Sequence, residues 1–505
     1  MTEIHPGFAQ FARAYESGQA QPLYSRMIAD LETPVSVYLK MGRGGANTFL
    51  FESVQGSEIR GRYSVVGIEP DLIWRCRDDH ADINMRAADD TDAFEPIADP
   101  PLTSLRKLVD ANRMSLPPGL PPMAVGLFGY LGYDMVRSIE RLGDHPPDSL
   151  GLPDAILVRP MLVAILDNVR DEITIVTPVR PESGMDARTA YARACDRIEK
   201  AVQDLRKPIA HKQGTGAQLS ADGEIHSNTT HEDYLTMVER AKEYIRAGDV
   251  FQVVPSQRFS RPFPLPPFSL YRALRRLNPS PFLYHLAFAN FTIVGSSPEI
   301  LVRLRDGVVT IRPIAGTRPR GKSPGEDSAL GEELMNDPKE RAEHLMLLDL
   351  GRNDVGRVAK AGTVRVTDSF FIERYSHVMH LVSNVEGELR DRLDAVDVLA
   401  AGLPAGTLSG APKIRAMQII DELEKEKRGA AYAGAIGYFG ANGAIDTCIV
   451  LRTALLKDGM MYVQAGGGVV ADSDPEAEYQ ESVNKAKALF AAADEAARTL
   501  QTADR

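Results

Sequence analysis

Two glutamate pairs in this sequence have the spacing of a ligand site. Glu478 and Glu481 stand three apart in DSDPEAEYQESVNKAK (472–487), with Lys485 four further on, and Glu340 and Glu343 repeat the interval in KERAEHLMLLDLGRND (339–354). Side chains three and four apart share one side of a helix, so each pair can present two carboxylates together. Alone, the first stripe reads equally as a solvated face with a Glu-to-Lys ion pair. The second is harder to leave in water: residues 345–350 are apolar apart from Asp349, Leu347 falls at the angle of the carboxylates, and a helix apolar all round is buried. A buried carboxylate needs a partner. The candidates are Arg341 or Arg352, a proton, or a hard cation, and oxygen donors without a Cys or His cluster favour magnesium among cations.

Two further stretches carry potential binding chemistry. In QAGGGVV (464–470) the glycines allow backbone N–H groups to approach an anion, with a helix N-terminus following; a plain tight turn reads the same way. IRPIAGTRPRGK (311–322) sets Arg312, Arg318, Arg320 and Lys322 around Ala315 and Thr317, which suits an acidic substrate or structural ion pairs.

The elements that must position these residues follow from periodicity and punctuation. Asp474 before Pro475, with Ser473 and Glu476 at capping-box spacing, predicts a helix start. Before residue 206, runs such as VSVYLK, YSVVGI, AILVRPMLVAILD and EITIVTPV read as strands, and MDARTAYARACDRIEKAVQDLRK as a helix. After 232 come a helix (DYLTMVERAKEYIRAG), strands (VFQVVPSQRF, FLYHLAFANFTIVGSS, EILVRLRDGVVTIRPI) and a helix (GEDSALGEELMNDPKERAEHLMLLDL). Polar turns such as RDG predict antiparallel hairpins, hence an α+β rather than a doubly wound architecture. Residues 206–232 are poor in apolar periodicity and rich in Gly, Ser and Thr, so the expected organisation is an N-terminal region (1–210), a linker (211–230) and a second domain (231–495).

Composition narrows the function classes. The chain has 505 residues, 44% apolar and 25% charged, with a net charge of −11, which fits a soluble globular protein and disfavours nucleic acid or an anionic membrane as partner. Cys76, Cys195 and Cys448 lack disulfide-framework or zinc spacing, the N-terminus lacks a secretory pattern, and the stretch from Met123 is Gly-broken and too short for a membrane span. A cytoplasmic location is expected.

Taken together, nine motifs in order after the linker resemble the chorismate-utilising enzymes, and within them the anthranilate synthase component I branch: GDVFQVVPSQR (248–258), GSSPEILVR (295–303), PIAGTRPRG (313–321), AEHLMLLDLGRNDVGRV (342–358), SHVMHLVSNVEG (376–387), PAGTLSGAPKIRAM (404–417), YAGAIGYFG (432–440), DTCIVLRT (446–453) and QAGGGVV through EYQESVNKA (464–486). The resemblance implies a fold of antiparallel sheets packed as a sandwich with helices outside. It also implies conversion of chorismate and ammonia to anthranilate and pyruvate, the first step of tryptophan biosynthesis. By the same likeness, Glu343 and Glu481 would hold Mg2+, with Glu340 and Glu478 in the outer shell. Arg452, Tyr432, Lys485 and the backbone at Gly466, Gly467 and Gly468 would hold substrate carboxylates, with Ala315, Gly316 and Thr317 along the substrate. Glu299 would be the general acid at the C4 hydroxyl, and His380 with Thr407 would serve the elimination of pyruvate.

Two positions select the branch. Relatives that make isochorismate or salicylate place a lysine where this chain has Gln252, and a glutamine cannot serve as the base that activates water. Relatives that make aminodeoxychorismate carry a nucleophilic lysine at the position of Ala315, so ammonia must add directly here. FLFESVQGSEIRGRYSVVG (49–67) and NPSPF (278–282) resemble the family's tryptophan feedback site, making Glu52, Ser53, Asn278, Pro279, Ser280, Pro281, Gly295 and Tyr438 its candidates; Phe51 and Leu283-Tyr284-His285 depart from the pattern. None of the cysteines lies in a nucleophile turn, so ammonia is expected from a separate glutaminase subunit, in a hetero-oligomer or a homodimer. The rivals are aminodeoxychorismate synthase component I and a non-catalytic amino-acid-sensing module.

Overall fold

The computed structural model describes residues 3–55, 59–209, 223–375, 378–429 and 431–503. Every strand pairing among them is antiparallel. Two long strands, Ile59–Arg77 and Ala155–Asp167, pair with each other through a register shift between Pro70 and Leu72. On one side of that shift, residues 63–67 and 163–167 belong to a sheet continuing through Thr48–Gln55, Phe282–Ala287, Thr292–Ser297, Thr453–Lys457, Met460–Gly466 and Ser256–Pro262, and in the other direction through Glu172–Val179 and Gln21–Ile28. On the other side, residues 73–76 and 155–158 belong to a second sheet running through Gly126–Leu131, Ala435–Gly440, Ile445–Ile449, Ile300–Arg305, Val308–Ile311 and Val378–Glu388. The register shift lets one pair of strands bend from the first sheet into the second.

The two sheets face each other across a core that includes Phe49, Val65, Phe128, Ile156, Val163, Tyr284, Ile293, Ile436 and Tyr438. Phe49 of the first sheet stacks on Phe128 of the second at 4.5 Å between ring centroids. Helices Phe8–Glu16, Pro34–Gly42, Ala187–Arg206, Pro267–Leu277 and Pro475–Ala503 cover the outside of the first sheet; Pro101–Ala111, Pro338–Val358 and Ala395–Gly402 cover the second. This is the expected α+β sandwich. Ala155–Asp167 is buried on both faces for most of its length, which is why AILVRPMLVAILD reads as a continuous apolar run rather than an alternation.

Some local expectations change. VSVYLK forms a helix, Pro34–Gly42, not a strand: Thr33 accepts from Ser36 N, Ser36 reciprocates, and Pro34 occupies the first turn, so a complete capping box outweighs the β-branched composition. FLYHLAFANFTIVGSS divides into the hairpin Phe282–Ala287 and Thr292–Ser297, and GEDSALGEELMNDPKERAEHLMLLDL divides into Pro324–Asn336 and Pro338–Val358 at Asp337-Pro338, where proline disfavours helical backbone in the residue before it. The hairpin at RDG forms as expected, with Asp306 and Gly307 at φ 51° and 78°. Most of the expected linker falls on residues 210–222, outside the described residues; strands on either side of it are hydrogen-bonded into the same sheets.

Candidate active site

Two chain crossings between the sheets carry charged side chains. Glu299 follows the end of Thr292–Ser297 in the first sheet and precedes Ile300–Arg305 in the second. Arg452 lies between Ile445–Ile449 in the second and Thr453–Lys457 in the first. The crossings are tied together: Ser297 Oγ donates to Ile449 O at 2.6 Å, Ile449 N to Glu299 O at 3.0 Å, and Ser296 N to Arg452 O at 3.2 Å. Arg452 has the left-handed φ of 47°. Among the described residues no carboxylate pairs with its guanidinium, and burial lowers its pKa.

The Glu299 carboxyl is buried, and desolvation pushes its pKa up to about 8 against smaller opposing contributions from the Ile314 amide and the Thr407 hydroxyl. Thr407 Oγ1 is itself buried without a hydrogen bond of full geometry. Glu299, Thr407, Leu347 and Leu350 line a small cavity of about 30 Å³. His380 lies opposite Thr317 on paired strands, and its Nδ1 is 3.0 Å from Gly316 O and 3.1 Å from Thr317 Oγ1. A carbonyl only accepts, so Nδ1 carries the proton there and Nε2, buried with no partner, is left as an acceptor. Burial lowers the His380 pKa, keeping the ring neutral. Ala315 lies in the same strand, just before a register shift at Gly316. Tyr375, which the sequence does not single out, stacks edge-on to His380 at 5.6 Å and lies within electrostatic reach of both Glu299 and Arg452; it immediately precedes the SHVMHL motif, and no spacing marks it.

Both glutamate pairs stand on helices, as expected. Asp337 caps Pro338–Val358 by accepting from Lys339 N and Glu340 N, and Asp474 accepts from Ala477 N at 2.9 Å at the start of Pro475–Ala503. The Ser473 to Glu476 capping box does not form: Ser473 Oγ donates to Glu478 Oε1 at 2.7 Å, and Glu476 faces His231. Nor is the first helix buried all round, since Leu345 is 51% exposed; it packs one side on the sheet and leaves Asp349 and Arg352 to pair in solvent. Glu340 pairs with neither expected arginine but with Arg318, at 3.0 Å. Arg341 instead donates to Met335 O and covers the Phe370 ring. Gly316, at φ 64°, leaves room for this arrangement, because a Cβ there would meet Glu340 Oε2 at 2.9 Å.

The acidic pairs act on one another. Burial and then the neighbouring Glu340 and Glu481 raise the pKa of Glu343; burial and Glu481 raise that of Glu478. Glu481 itself pairs with Lys485 at 2.7 Å, and Lys485 also donates to Gly466 O at 2.9 Å. A Cβ on Gly467 would meet Glu478 Oε2 at 2.8 Å, and one on Gly468 would meet Gln252 Nε2 at 2.4 Å. The glycine turn thus bridges the acidic helix and Gln252, whose Oε1 is buried without a partner. Among the described residues no three acidic, His or Cys side chains converge enough to enclose a metal by themselves. Carboxylates gathered so closely that they raise the pKa of Glu343 and Glu478 nevertheless fit a hard divalent cation, which takes one or two of them and completes its shell with water and substrate oxygens. Tyr432 is buried against Arg428, its ring 5.6 Å from the guanidinium.

The residues likened to a feedback site gather less completely. Glu52 lies opposite Leu283 on paired strands, accepts from Tyr271 Oη, and takes Arg275 bidentately at 2.7 and 2.9 Å. Asn278, Pro279, Ser280 and Pro281 lead from the end of the Arg275 helix into the Phe282–Ala287 strand, and Asn278 O accepts from Ser296 Oγ, next to Gly295. Ser53 follows Glu52 and packs over Gly61. Tyr438 stands in the facing sheet, where the Phe128 ring lies between it and Phe51.

A family model described as chorismate binding enzyme matches residues 60–491. Anthranilate synthase component 1 of Cereibacter sphaeroides is 60% identical over 491 residues, covering 97% of this chain and 97% of its own; that of Pseudomonas putida is 49% identical over 476 residues, covering 93% and 94%. The crystal structure of anthranilate synthase component I from Streptococcus pneumoniae superposes with a TM-score of 0.75 at 37% identity, covering 92% of this chain and 99% of that one. A menaquinone-specific isochorismate synthase from Escherichia coli shares the fold, with a TM-score of 0.69 at 20% identity over 96% of this chain and 98% of its own. No helix among the described residues is long and apolar enough to cross a membrane.

Proposed function

The chain belongs to the chorismate binding enzyme family, within the anthranilate synthase component 1 group, and on that premise we propose that it converts chorismate and ammonia to anthranilate, pyruvate and water. The observation that carries the reading is the buried Glu299 carboxyl, protonated at neutral pH because its pKa is pushed up to about 8. It donates that proton to the C4 hydroxyl, which leaves as water while ammonia adds at C2. His380 Nε2 then takes the C2 proton as the C3–O bond breaks and the ring becomes aromatic, and the proton passes back to the methylene carbon of the departing enolate, which leaves as pyruvate. Arg452, lacking a carboxylate of its own, receives one from the substrate, and Tyr432, Lys485 and the N–H groups of 466–468 complete the cradle. Glu343 and Glu481, with Glu340 and Glu478 behind them, would hold Mg2+, which would supply neutralisation of the substrate's carboxylate charge.

Ammonia comes from a glutaminase partner in a hetero-oligomer. This chain's own thiols support that reading: burial pushes Cys76 up to about 12 and raises Cys195 and Cys448, so none is an activated nucleophile. Tryptophan binds beside Glu52 and Ser53 against the turn 278–281 and inhibits. Three unpaired cysteines suit a reducing cytoplasm. The test supplies chorismate, magnesium and an ammonium salt and identifies the product by fluorescence and mass. Anthranilate with pyruvate is expected; aminodeoxychorismate without anthranilate refutes the assignment, and no turnover under any ammonia supply favours an amino-acid-sensing module.

A further inference from the structure

Arg428 is buried directly behind the candidate site and uses its donors on three separate chain segments. Its Nε donates to Glu424 at 3.0 and 3.1 Å, its Nη1 to Leu408 O at 2.7 Å, and its Nη2 to Val254 O and to Glu424 Oε1. Leu408 follows Thr407 in its turn, and Val254 lies two residues from Gln252. Glu424 extends the reach, accepting from both Ser256 N and Ser256 Oγ at 2.8 Å. Ser256 lies opposite Gly466 in the sheet and accepts from Gln464 Nε2 at 2.8 Å. The guanidinium also lies against the ring of Tyr432. A single buried ion pair is therefore bonded to the backbone beside Thr407, Gln252 and Gly466 and packed on Tyr432.

We propose that Arg428, with Glu424, is a positioning residue that sets the mutual placement of Thr407, Gln252, the glycine turn and Tyr432. The proposal rests on the functional reading above. The planar fork of arginine is needed because one group must reach two carbonyls and a carboxylate in different directions; a lysine, a point donor on a flexible stem, cannot hold all three. Stability alone does not account for the pair, since a buried ion pair can often be exchanged for apolar side chains of similar volume without loss.

The test compares Arg428→Lys with the double variant Arg428→Met/Glu424→Leu, which removes both charges and keeps the volume. Each is assayed at a temperature where it is fully folded, and amide hydrogen exchange is followed at 252–256, 406–411 and 464–468. Turnover should fall about a hundredfold, the scale of loss from misplacing reacting groups by about 1 Å. KM for chorismate should rise by only about three- to tenfold, because Tyr432 and the turn at 466–468 loosen while Arg452 keeps its place in the crossing before Thr453–Lys457. Exchange should quicken in those three segments while 155–167 stays protected. Wild-type kcat in either folded variant overturns the proposal, and if Arg428→Lys does not fold the double variant decides. Should the wild-type chain itself make no anthranilate, the functional reading fails separately, and the exchange measurement alone decides: unchanged exchange in the three segments overturns the positioning role.

Discussion

Replacing Glu299 by glutamine separates proton donation from packing, because the two side chains have nearly the same shape. A glutamate with a pKa near 4.5 in the unfolded chain is ionised at pH 7, whereas the buried carboxyl, near 8, keeps its proton. The native state therefore binds the proton more tightly. The sign follows: stability is undiminished below about 4.5, falls as pH rises toward 8, and is flat above. At about 1.4 kcal/mol per pH unit the cost reaches ~3 kcal/mol by pH 7. Glu299→Gln removes this dependence, so urea denaturation between pH 5 and 8 should show the wild type losing stability relative to the variant. At pH 7 the variant should be more stable by up to ~3 kcal/mol, less ~1 kcal/mol for an amide that fits the Ile314 and Thr407 contacts imperfectly. Anthranilate formation should meanwhile drop by about 10²- to 10⁴-fold, and the wild-type pH–rate profile should descend near pH 8, where the acid loses its proton. Wild-type turnover in the variant, or parallel stability profiles, would refute the assignment of a protonated buried acid.

Glu481→Gln should abolish magnesium-dependent turnover while thermal unfolding stays near that of the wild type, because Glu481 is half exposed and shares only a surface-type ion pair with Lys485; retained activity would return the stripe to a solvated helix face. Ser53→Ala combined with Asn278→Ala should remove inhibition by tryptophan without loss of anthranilate synthesis, and inhibition that survives would displace the proposed inhibitor site. Gly316→Ala should cost ~1–2 kcal/mol in left-handed backbone strain and push on Glu340 as well, which denaturation and magnesium titration would register together.

Local chemistry was readable and nonlocal geometry was not. The Glu-x-x-Glu pairs, the Asp474-Pro475 helix start and the strand Ala155–Asp167 depend on neighbours within a few residues, and each appears where the sequence places it. The partner of Glu340 was missed because Arg318 reaches it from another element, whereas Arg341 and Arg352 are merely near in sequence. Pro34–Gly42 departs from the expected strand because a run of Val, Ser and Tyr has no decisive period, and the capping box before it decides for helix. Nothing in the spacing of Glu299 and Arg452 shows that they are neighbours. That follows from the pairing of Thr292–Ser297 with Thr453–Lys457; the resemblance to a known family implies only that both act on one substrate.

The pairing of those crossings also ties them to the proposed inhibitor side. Gly295, on the proposed inhibitor side, lies opposite Thr453, and four residues of chain further on is Glu299; Arg452 immediately precedes Thr453 and is bonded through its carbonyl to Ser296 N. The strand at Gly295 is thus tied to the acid along its own chain and to the arginine across one rung of the ladder. A regulator seated there would therefore bear on the proposed proton donor and on the proposed anchor for the substrate carboxylate together, and would depress affinity and turnover in a single stroke.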